Sequence, residues 1–323
     1  MKKYILLFII CLVCVAGCVN PFGANTIQNS TKNVTHVITT IPVTRTIIPV
    51  VTPVAIKTVI PNVTLISNIT QVIGNVSNLT VTFIDVGQGD SEWIKSPTGK
   101  TMLIDVGEEN QVSKVTPIIN KTINIVVATH PHSDHIGGMQ TILTKYTIGE
   151  FFDSGYPYTS ATYKIMLDII DKKNISYTTI KTGDTIIFDP LVKIKVLNPQ
   201  PKFFDDINDN SIVLLMTYKN VSFLFTGDAG LNAEDVYAKQ LGTVTILKVA
   251  HHGSTTATGD YLLSKIHPNI SIISVGVDNT YGHPDLSTIN RLKNSGSKVY
   301  RTDQNGSISI TTNGEDYSVI STK

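Results

Sequence analysis

Thr129-His130-Pro131-His132-Ser133-Asp134-His135 is the stretch of sequence that decides the fold of this 323-residue chain. It directly follows the apolar run of residues 123–128, which has the composition of a buried strand. The polar cluster therefore falls on the loop at the carboxyl end of that strand. Three imidazoles and one carboxylate within six positions supply the nitrogen and oxygen donors that a Zn, Mn or Fe site uses. We expect His130 and His132 to converge on one ion. The neighbouring pair Asp134-His135 is expected to turn towards a second ion.

The histidine and cysteine counts support a metal site built from imidazole and carboxylate. Only eight histidines occur in the whole chain, so three of them within six positions form more than an incidental surface loop. The three cysteines, Cys11, Cys14 and Cys18, all lie in the first eighteen residues. No thiolate is therefore available further along the chain as a nucleophile, a metal ligand or half of an internal disulfide.

Charge is distributed unevenly along the chain. Of the 26 basic and 25 acidic residues, residues 1–80 hold five basic ones and no acidic one. Residues 81–323 therefore hold 21 basic and 25 acidic residues, a formal net charge of −4. An acidic domain lacks the basic footprint of a tight, nonspecific nucleic-acid-binding protein. It does not exclude a nuclease that neutralises phosphate with metal ions.

The amino terminus predicts export. Met1-Lys2-Lys3 and the apolar run of residues 4–15 have the layout of a signal peptide, because about twelve apolar residues are too few to span a bilayer. The run ends in Val15-Ala16-Gly17-Cys18, which is similar to a lipobox. We predict a signal peptide over residues 1–17 and a lipidated Cys18 that anchors the protein to the outer face of the cell membrane. An ordinary secretory signal with an incidental cysteine is the alternative.

Residues 19–79 predict an extended Thr/Asn/Pro-rich stalk. Four prolines interrupt every run long enough to form a strand or helix, although the many β-branched residues leave a small β-rich module as the alternative. Six Asn-x-Ser/Thr sequons make the stalk a candidate for glycosylation: Asn29, Asn33, Asn62, Asn68, Asn75 and Asn78. After the signal no apolar run approaches about twenty residues, so we expect no integral channel in this chain.

Residues 80–323 have the texture of one folded domain, with short apolar runs, amphipathic stretches and Gly-rich turns. Strands are predicted at residues 79–86, 102–106, 123–129, 192–197, 211–218, 221–226, 244–249 and 269–275. Helices are predicted at residues 136–146, 161–174, 232–241, 259–266 and 286–294. This mixture indicates packed sheets flanked by helices, in the α/β (α+β) class.

The His-x-His-x-Asp-His pattern of residues 130–135 resembles the signature of the metallo-β-lactamase fold superfamily. Three more motifs follow in the order of that family: Leu103-Ile104-Asp105-Val106-Gly107, Phe225-Thr226-Gly227-Asp228 and Gly282-His283-Pro284. The resemblance implies a four-layer αββα sandwich that binds two divalent metal ions. It also implies that Asp105 lies behind the site and orients a ligand histidine, that Asp228 bridges the ions, and that His283 completes the second ion site.

Finer motifs resemble one branch of that superfamily, the hydrolase domain of ComEC-type competence proteins. They are Phe83-Ile84-Asp85-Val86-Gly87-Gln88-Gly89-Asp90-Ser91, His251-His252-Gly253-Ser254 and Tyr281-Gly282-His283-Pro284. The resemblance covers roughly residues 80–312. In those proteins the domain is appended to a channel for DNA uptake and is thought to degrade one DNA strand. We therefore expect a stand-alone, tethered version of the domain.

One departure from the superfamily concerns the first ion. The family places a third histidine on the loop before the strand that leads to the bridging aspartate, whereas this chain reads Asn208-Asp209-Asn210-Ser211. The ComEC-type branch shares this Asn-Ser pattern, and we expect Asn210 to support the site from behind the ligands. The first ion is left with an open position or a weak Asn/Asp oxygen. We predict weaker occupancy there and a preference for Mn over tightly held Zn.

Asp134, His251 and His252 are the predicted catalytic residues. Because adjacent loop residues rarely bind the same ion, we expect one of His251 and His252 to face the site and the other to pack or hydrogen-bond. The inward one is expected to donate to the leaving oxygen or to steady the scissile phosphate; a purely structural role for both is the alternative.

These residues predict a cell-surface, metal-dependent hydrolase, with hydroxide supplied by a water shared between two Zn or Mn ions. Resemblance favours a phosphodiesterase or nuclease acting on DNA or oligonucleotides. Hydrolysis of a small amide, lactam or thioester is one alternative, because this fold hosts many reactions. A non-catalytic surface binding protein is another. The sequence does not identify a protein partner.

Overall fold

A computed structural model describes residues 78–277 and 279–323. The predicted signal peptide, Cys18 and residues 19–77 of the predicted stalk lie outside the described residues. Within the described part, no helix is both long enough and apolar enough to cross a membrane.

Fifteen strands and eight α-helices make up the described domain. The strands are β1 Leu79–Phe83, β2 Glu92–Lys95, β3 Thr101–Ile104, β4 Thr122–Ala128, β5 Thr147–Asp153, β6 Ser176–Thr179, β7 Thr185–Asp189, β8 Val192–Asn198, β9 Val213–Tyr218, β10 Val221–Phe225, β11 Ile246–Lys248, β12 Ile270–Ile273, β13 Lys298–Arg301, β14 Ile308–Thr312 and β15 Tyr317–Ser321. The helices are α1 Val112–Val115, α2 Ser133–Ile136, α3 Met139–Lys145, α4 Ala161–Lys172, α5 Leu231–Tyr237, α6 Asp260–Ile266, α7 Leu286–Asn294 and α8 Thr302–Asn305. Short 3-10 turns cover Glu109–Gln111, Asn208–Asn210, Ala238–Gln240 and Ala250–Gly253.

The strands form two mixed sheets. One has the order β15-β14-β1-β2-β3-β4-β5-β6 and the other β13-β12-β11-β10-β9-β8-β7. Strands β3 to β6 pair in parallel in the first sheet, and β10 to β13 pair in parallel in the second. The carboxyl ends of neighbouring parallel strands lie at one edge of a sheet, which is where α/β folds place their ligands.

Three apolar layers separate four layers of structure. One core lies between the sheets and includes Phe83 from β1 and Phe225 from β10. A second packs the first sheet against α1 to α4, and a third packs the other sheet against α5, α6 and α7. The predicted αββα sandwich is therefore confirmed.

Strand β4 shows why the run before the His cluster is apolar over residues 125–128. Val126 belongs to the core beneath the helices, whereas Val127 belongs to the core between the sheets. Successive side chains of a strand point to opposite faces, so a strand buried on both faces needs an apolar residue at nearly every position.

The helix predicted at residues 136–146 is divided into α2 and α3 in the structure. Gly137 and Gly138 separate the two helices, and a Cβ at either position would crowd the neighbouring chain. It would meet the backbone nitrogen of Glu109 in the first case and the side chain of Val106 in the second. Because neither residue has a Cβ, the loop of the His cluster can lie close against the loop that follows β3.

Candidate metal centre

The His130–His135 loop joins β4 to α2 and is largely buried. His130 is 1% exposed and His135 is fully buried. The Nε2 atom of His130 lies 3.1 Å from Nδ1 of His132, so the two alternating imidazoles turn these nitrogens towards each other. Burial lowers the pKa of His130 well below its usual value, and His135 lowers it further. A neutral imidazole is the form that ligates a metal ion.

Asp105 lies behind His135, at the end of β3. Its Oδ2 is 2.7 Å from Nδ1 of His135 and accepts a hydrogen bond of 2.6 Å from the Thr129 hydroxyl. Its Oδ1 accepts one from the Thr129 amide. This carboxylate fixes the ring of His135 and turns Nε2 towards the centre of the site.

Two buried atoms at that centre have no hydrogen-bond partner in the described protein. They are Nε2 of His135 and Oδ1 of Asp228, which lie 3.3 Å apart. Burial by itself lowers the pKa of His135, but the carboxylates of Asp228, Asp105 and Asp134 outweigh it and raise that pKa well above its usual value. The surroundings therefore favour a positive charge at this point. The two unpartnered atoms, an imidazole nitrogen and a carboxylate oxygen, are of the kinds that ligate a divalent cation.

Asp228 stands between the histidines of the two sheets. It follows β10 and is 2% exposed. Its Oδ2 lies 3.8 Å from Nε2 of His130 and 3.5 Å from Nε2 of His252, while its Oδ1 faces His135. A carboxylate in this position can reach two ions at once.

His252 enters the centre from a strained turn after β11. His251 and His252 have φ angles of 49° and 52°, in the left-handed region that non-glycine residues seldom adopt. The turn buries His252, whose Nε2 lies 3.1 Å from Oδ2 of Asp134. Its Nδ1 donates to the carbonyl oxygen of Ser274. Ligand atoms of four residues lie within 4.8 Å of one another: Asp134, His135, Asp228 and His252.

His251 and His283 lie further out. Nε2 of His251 is 3.9 Å from Oδ2 of Asp228, and its ring centre is 5.7 Å from that of His283. The exposed ring of Tyr281 stacks on His283 at 5.9 Å. The family motif predicted that His283 completes the second ion site, whereas in the structure His252 joins the cluster of Asp134, His135 and Asp228. The left-handed turn explains this arrangement, because it directs His252 inward.

The Asn208–Asn210 turn occupies the place of the missing third histidine. Asn210 donates to the carbonyl oxygens of Phe204 and Asp206 and accepts from the Phe204 amide, so its side chain is used in holding the turn. Asn208 borders the site instead, and its Oδ1 is buried without a partner. The sequence drew attention to residues 208–211 but did not single out Asn208. The absence of the family's third histidine was the signal that could have identified it.

A polar pocket of about 380 Å³ opens over the cluster. The lining side chains come from the β1–β2 loop, the His loop, the start of α4, the Asn208 turn, the turns after β10 and β11, and the loops that carry Tyr158 and Tyr281. The ring of Tyr158 meets that of His132 edge-on at 6.2 Å. The pocket joins buried ligand groups to solvent and leaves room for a substrate.

Comparison with known proteins agrees with this geometry. The family model described as "Metallo-beta-lactamase superfamily" matches residues 84–277. ComE operon protein 3 of Bacillus subtilis is 28% identical over 252 residues, which cover 71% of this chain and 32% of that protein. Recombination protein 2 of Haemophilus influenzae is 29% identical over 237 residues, which cover 70% and 28%. The chain thus spans about a third of the length of these curated relatives.

The solved structure of the metallo-beta-lactamase fold protein YhfI from Bacillus subtilis shares the fold. It has a TM-score of 0.53 at 11% identity and covers 73% of this chain and 100% of its own. The resemblance to the hydrolase domain of ComEC-type competence proteins is confirmed by the relatives. By its matched sequence, its fold and its His/Asp cluster, this chain belongs to the metallo-beta-lactamase superfamily.

Proposed function

We propose that the protein is a metal-dependent phosphodiesterase that cleaves DNA or oligonucleotides with two divalent ions, Zn or Mn. The observation that carries the proposal is the buried four-residue group of Asp134, His135, Asp228 and His252 beneath an open polar pocket. Hard and borderline donors of this kind suit Zn or Mn. A pocket of about 380 Å³ falls in the range of small-molecule sites and accepts one nucleotide unit.

We assign the ligands as two groups. His130 and His132 would hold the first ion, and Asp134, His135 and His252 would hold the second. Asp228 lies between the two groups and would contribute a carboxylate oxygen to each. When bound, the ions supply a nucleophile from water near neutral pH and neutralise the charge that builds on the phosphate during attack.

The remaining side chains orient the ligands and the substrate. Asp105 holds the imidazole of His135 in one orientation through its 2.7 Å contact. His251 and His283 border the pocket, where an imidazole can donate a proton to the leaving oxygen or contact the scissile phosphate. No side-chain nucleophile is required, in keeping with the absence of cysteine after Cys18.

Nucleic acid is favoured as the substrate by the relatives, which are named for competence and recombination. The net charge of −4 over residues 81–323 opposes tight, nonspecific binding of long duplexes. Short or single-stranded substrates held mainly by the ions are consistent with both observations.

We place the enzyme at the outer face of the cell membrane. The signal peptide of residues 1–17 and lipidation of Cys18 supply export and an anchor, and the stalk of residues 19–79 separates the domain from the lipid surface. Because one lipid chain holds a protein only marginally, the anchor requires more than one chain or a second contact.

The purified full-length chain should be tested with Mn and with Zn against single- and double-stranded DNA, a chromogenic phosphodiester and a chromogenic β-lactam. We expect phosphodiester and DNA cleavage that EDTA abolishes and that His130→Ala lowers by at least about a hundredfold. His267→Asn is the matched control, since His267 is an exposed histidine at the end of α6. This variant should keep wild-type activity.

Cleavage of the β-lactam alone would replace the phosphodiesterase proposal with amide hydrolysis. Metal binding without turnover of any of the four substrates would favour a surface binding protein.

A further inference from the structure

The loop between β1 and β2 touches both elements that carry ligands of the second ion site. It contains Val86-Gly87-Gln88-Gly89-Asp90, which the family motifs include but to which the proposed chemistry gives no task. On one side the loop packs against the backbone of Asp134. On the other side it reaches the strand and turn that lead to His252.

The contact with Asp134 is made by the backbone. The Asp90 amide donates a 3.1 Å hydrogen bond to the carbonyl oxygen of Asp134. Gly89 has a φ angle of 128°, and a Cβ at this position would collide with the same carbonyl oxygen. Only glycine lets the loop lie this close to the ligand-bearing residue.

The contact with His252 is made by the Asp90 carboxylate. Oδ1 of Asp90 lies 3.3 Å from Nδ1 of His252, on the side of the ring opposite the atom that faces Asp134 and Asp228. The same Nδ1 donates to the Ser274 carbonyl at 3.0 Å. The Nδ1 hydrogen is therefore donated to the carbonyl, and Oδ1 of Asp90, which accepts no hydrogen bond in the described protein, lies close enough behind the ring to act on it electrostatically.

Lys248 compensates the charge of Asp90. Its Nζ lies 2.7 Å from Oδ2 of Asp90 and donates to the carbonyl oxygen of Val249. Lys248 and Asp90 are each 1% exposed. Two charges this deep in the protein are retained only when they are paired.

We propose that Asp90, held and neutralised by Lys248, is a positioning residue for the second ion site. Its amide holds the backbone of Asp134, its carboxylate lies behind the ring of His252, and the two proposed ligands are thereby kept in register although they follow strands of different sheets. This inference rests on the proposed metal centre and assigns Asp90 and Lys248 no contact with substrate.

A metal titration of the full-length protein separates positioning from simple stabilisation. The variants are Asp90→Asn, Lys248→Met and the double variant, each stripped of metal, titrated calorimetrically with Mn or Zn and melted in EDTA. Each single variant leaves a buried partner unpaired and should melt earlier without metal. The double variant should recover the metal-free melting temperature and still bind the second ion about ten- to a hundredfold more weakly than wild type.

The matched control is Arg301→Met/Asp303→Asn, which removes an ion pair of 2.6 Å at the end of β13 and should leave both affinities unchanged. Wild-type affinity for both ions in the Asp90/Lys248 double variant would overturn the proposal. A wild-type protein that binds no second ion would instead refute the metal centre itself, so the two failures are distinguishable.

Gly89→Ala supplies a test that leaves the ion pair in place. The added methyl group pushes the loop away from Asp134, and the second ion should again bind about ten- to a hundredfold more weakly. An unchanged affinity in a folded Gly89→Ala protein would show that the loop does not position Asp134.

Discussion

His251 and His252 are adjacent in sequence but occupy different surroundings. His252 is 1% exposed and meets Asp134 and Asp228, whereas the side chain of His251 keeps 26% of its surface and borders the pocket. Two successive left-handed residues produce this division, because they turn the chain so that one ring faces inward and the next faces solvent. At this site, conformation rather than residue type decides which histidine lies inside the cluster.

The first prediction distinguishes the role of His252 in metal binding from the role of His283 in turnover. We expect His252→Ala to lose one of two bound ions, because its imidazole is in contact with two of the proposed ligands of the second ion. His283→Ala should keep both ions and lose turnover, because its ring lies next to His251 at the pocket. Metal content after gel filtration and phosphodiester turnover measure the two effects.

His251→Ala serves as the comparison for both variants and should behave like His283→Ala. A His283→Ala protein that loses an ion while His252→Ala keeps both would restore the ligand assignment expected from the family motif.

Asn208 is the second residue whose role can be tested. Its buried, unpartnered Oδ1 borders the site where the family has a third histidine, so we expect it to supply the weak oxygen contact of the first ion. Asn208→Ala should weaken binding of that ion about tenfold, the size of effect seen for polar groups that support metal ligands. Competition with a chromogenic chelator gives the two affinities.

Asn208→Asp keeps an oxygen at this position and adds charge, so it should bind the first ion at least as tightly as wild type. Equal affinities in wild type and Asn208→Ala would contradict the assignment. Two tightly held Zn ions per wild-type chain would contradict the predicted preference for Mn.

At the scale of elements, Glu234 ties helix α5 to the start of α6. Its carboxylate accepts hydrogen bonds from the amides of Thr258 and Gly259, and only 2% of its surface is exposed. Burial raises the pKa of Glu234 to about 7 from its ordinary 4.5, despite the two amides and Arg291. The folded protein therefore binds this proton more tightly than the unfolded chain does.

The pH dependence of stability follows from that difference. Between pH 4.5 and about 7 the folded state keeps the proton on Glu234 and the unfolded state loses it, so this residue's contribution to unfolding free energy decreases as pH rises. Relative to Glu234→Gln, wild type should lose about 2–3 kcal/mol between pH 5 and pH 8. Urea unfolding in EDTA at both pH values measures it.

Asp168→Asn is the control, since Asp168 is exposed on helix α4, which packs on the other sheet, and its replacement should change the free energy of unfolding by the same amount at pH 5 and pH 8. If the free energies of unfolding of wild type and Glu234→Gln differ by the same amount at pH 5 and pH 8, Glu234 keeps its ordinary pKa in the folded protein.

The sequence predicted eight of the fifteen strands of the described domain and missed the others, including the seven-residue strand β5. Helix α7 has the predicted bounds, and its start is capped by Asp285, which accepts from the Ser287 amide. Edge strand β6, with all four residues exposed, carries no apolar pattern and was not predicted. The hairpin of β14 and β15 was also missed, although the Asn313-Gly314 turn between them is a recognisable signal.

At the scale of the whole molecule, the site depends on the packing of one sheet against the other. The first sheet provides the His130–His135 loop and Asp105, and the second provides Asp228 and the His251-His252 turn. Phe83 from β1 and Phe225 from β10 meet in the core between the sheets, with ring centres 6.2 Å apart. The two halves of the site are held together by apolar contacts of this kind.

The fourth prediction tests that core. Phe83→Ala should lower the free energy of unfolding by about 3–5 kcal/mol, because a fully buried aromatic ring leaves a cavity that the sheets cannot close. Ile187→Ala is the matched control: Ile187 is 88% exposed, so the change should stay within about 0.5 kcal/mol. Urea unfolding in EDTA measures both without a contribution from bound ions.

Similar losses in the two variants would show that the contact between the sheets contributes little to stability. A Phe83→Ala protein that remains folded should also bind metal more weakly, since its two sets of ligands are no longer held at a fixed separation.

The sequence by itself determined the chemistry of the site and the class of fold. Residues 130–135 placed imidazole and carboxylate donors directly after a buried strand, and the order of the other motifs implied the sandwich. Only the tertiary structure decided which distant groups join them: His252 rather than His283 in the four-residue cluster, Asn208 rather than Asn210 beside the pocket, and Asp90 with Lys248 behind the site. Local patterns follow from covalent neighbours, whereas these contacts depend on two sheets and on left-handed turns whose directions no local pattern specifies.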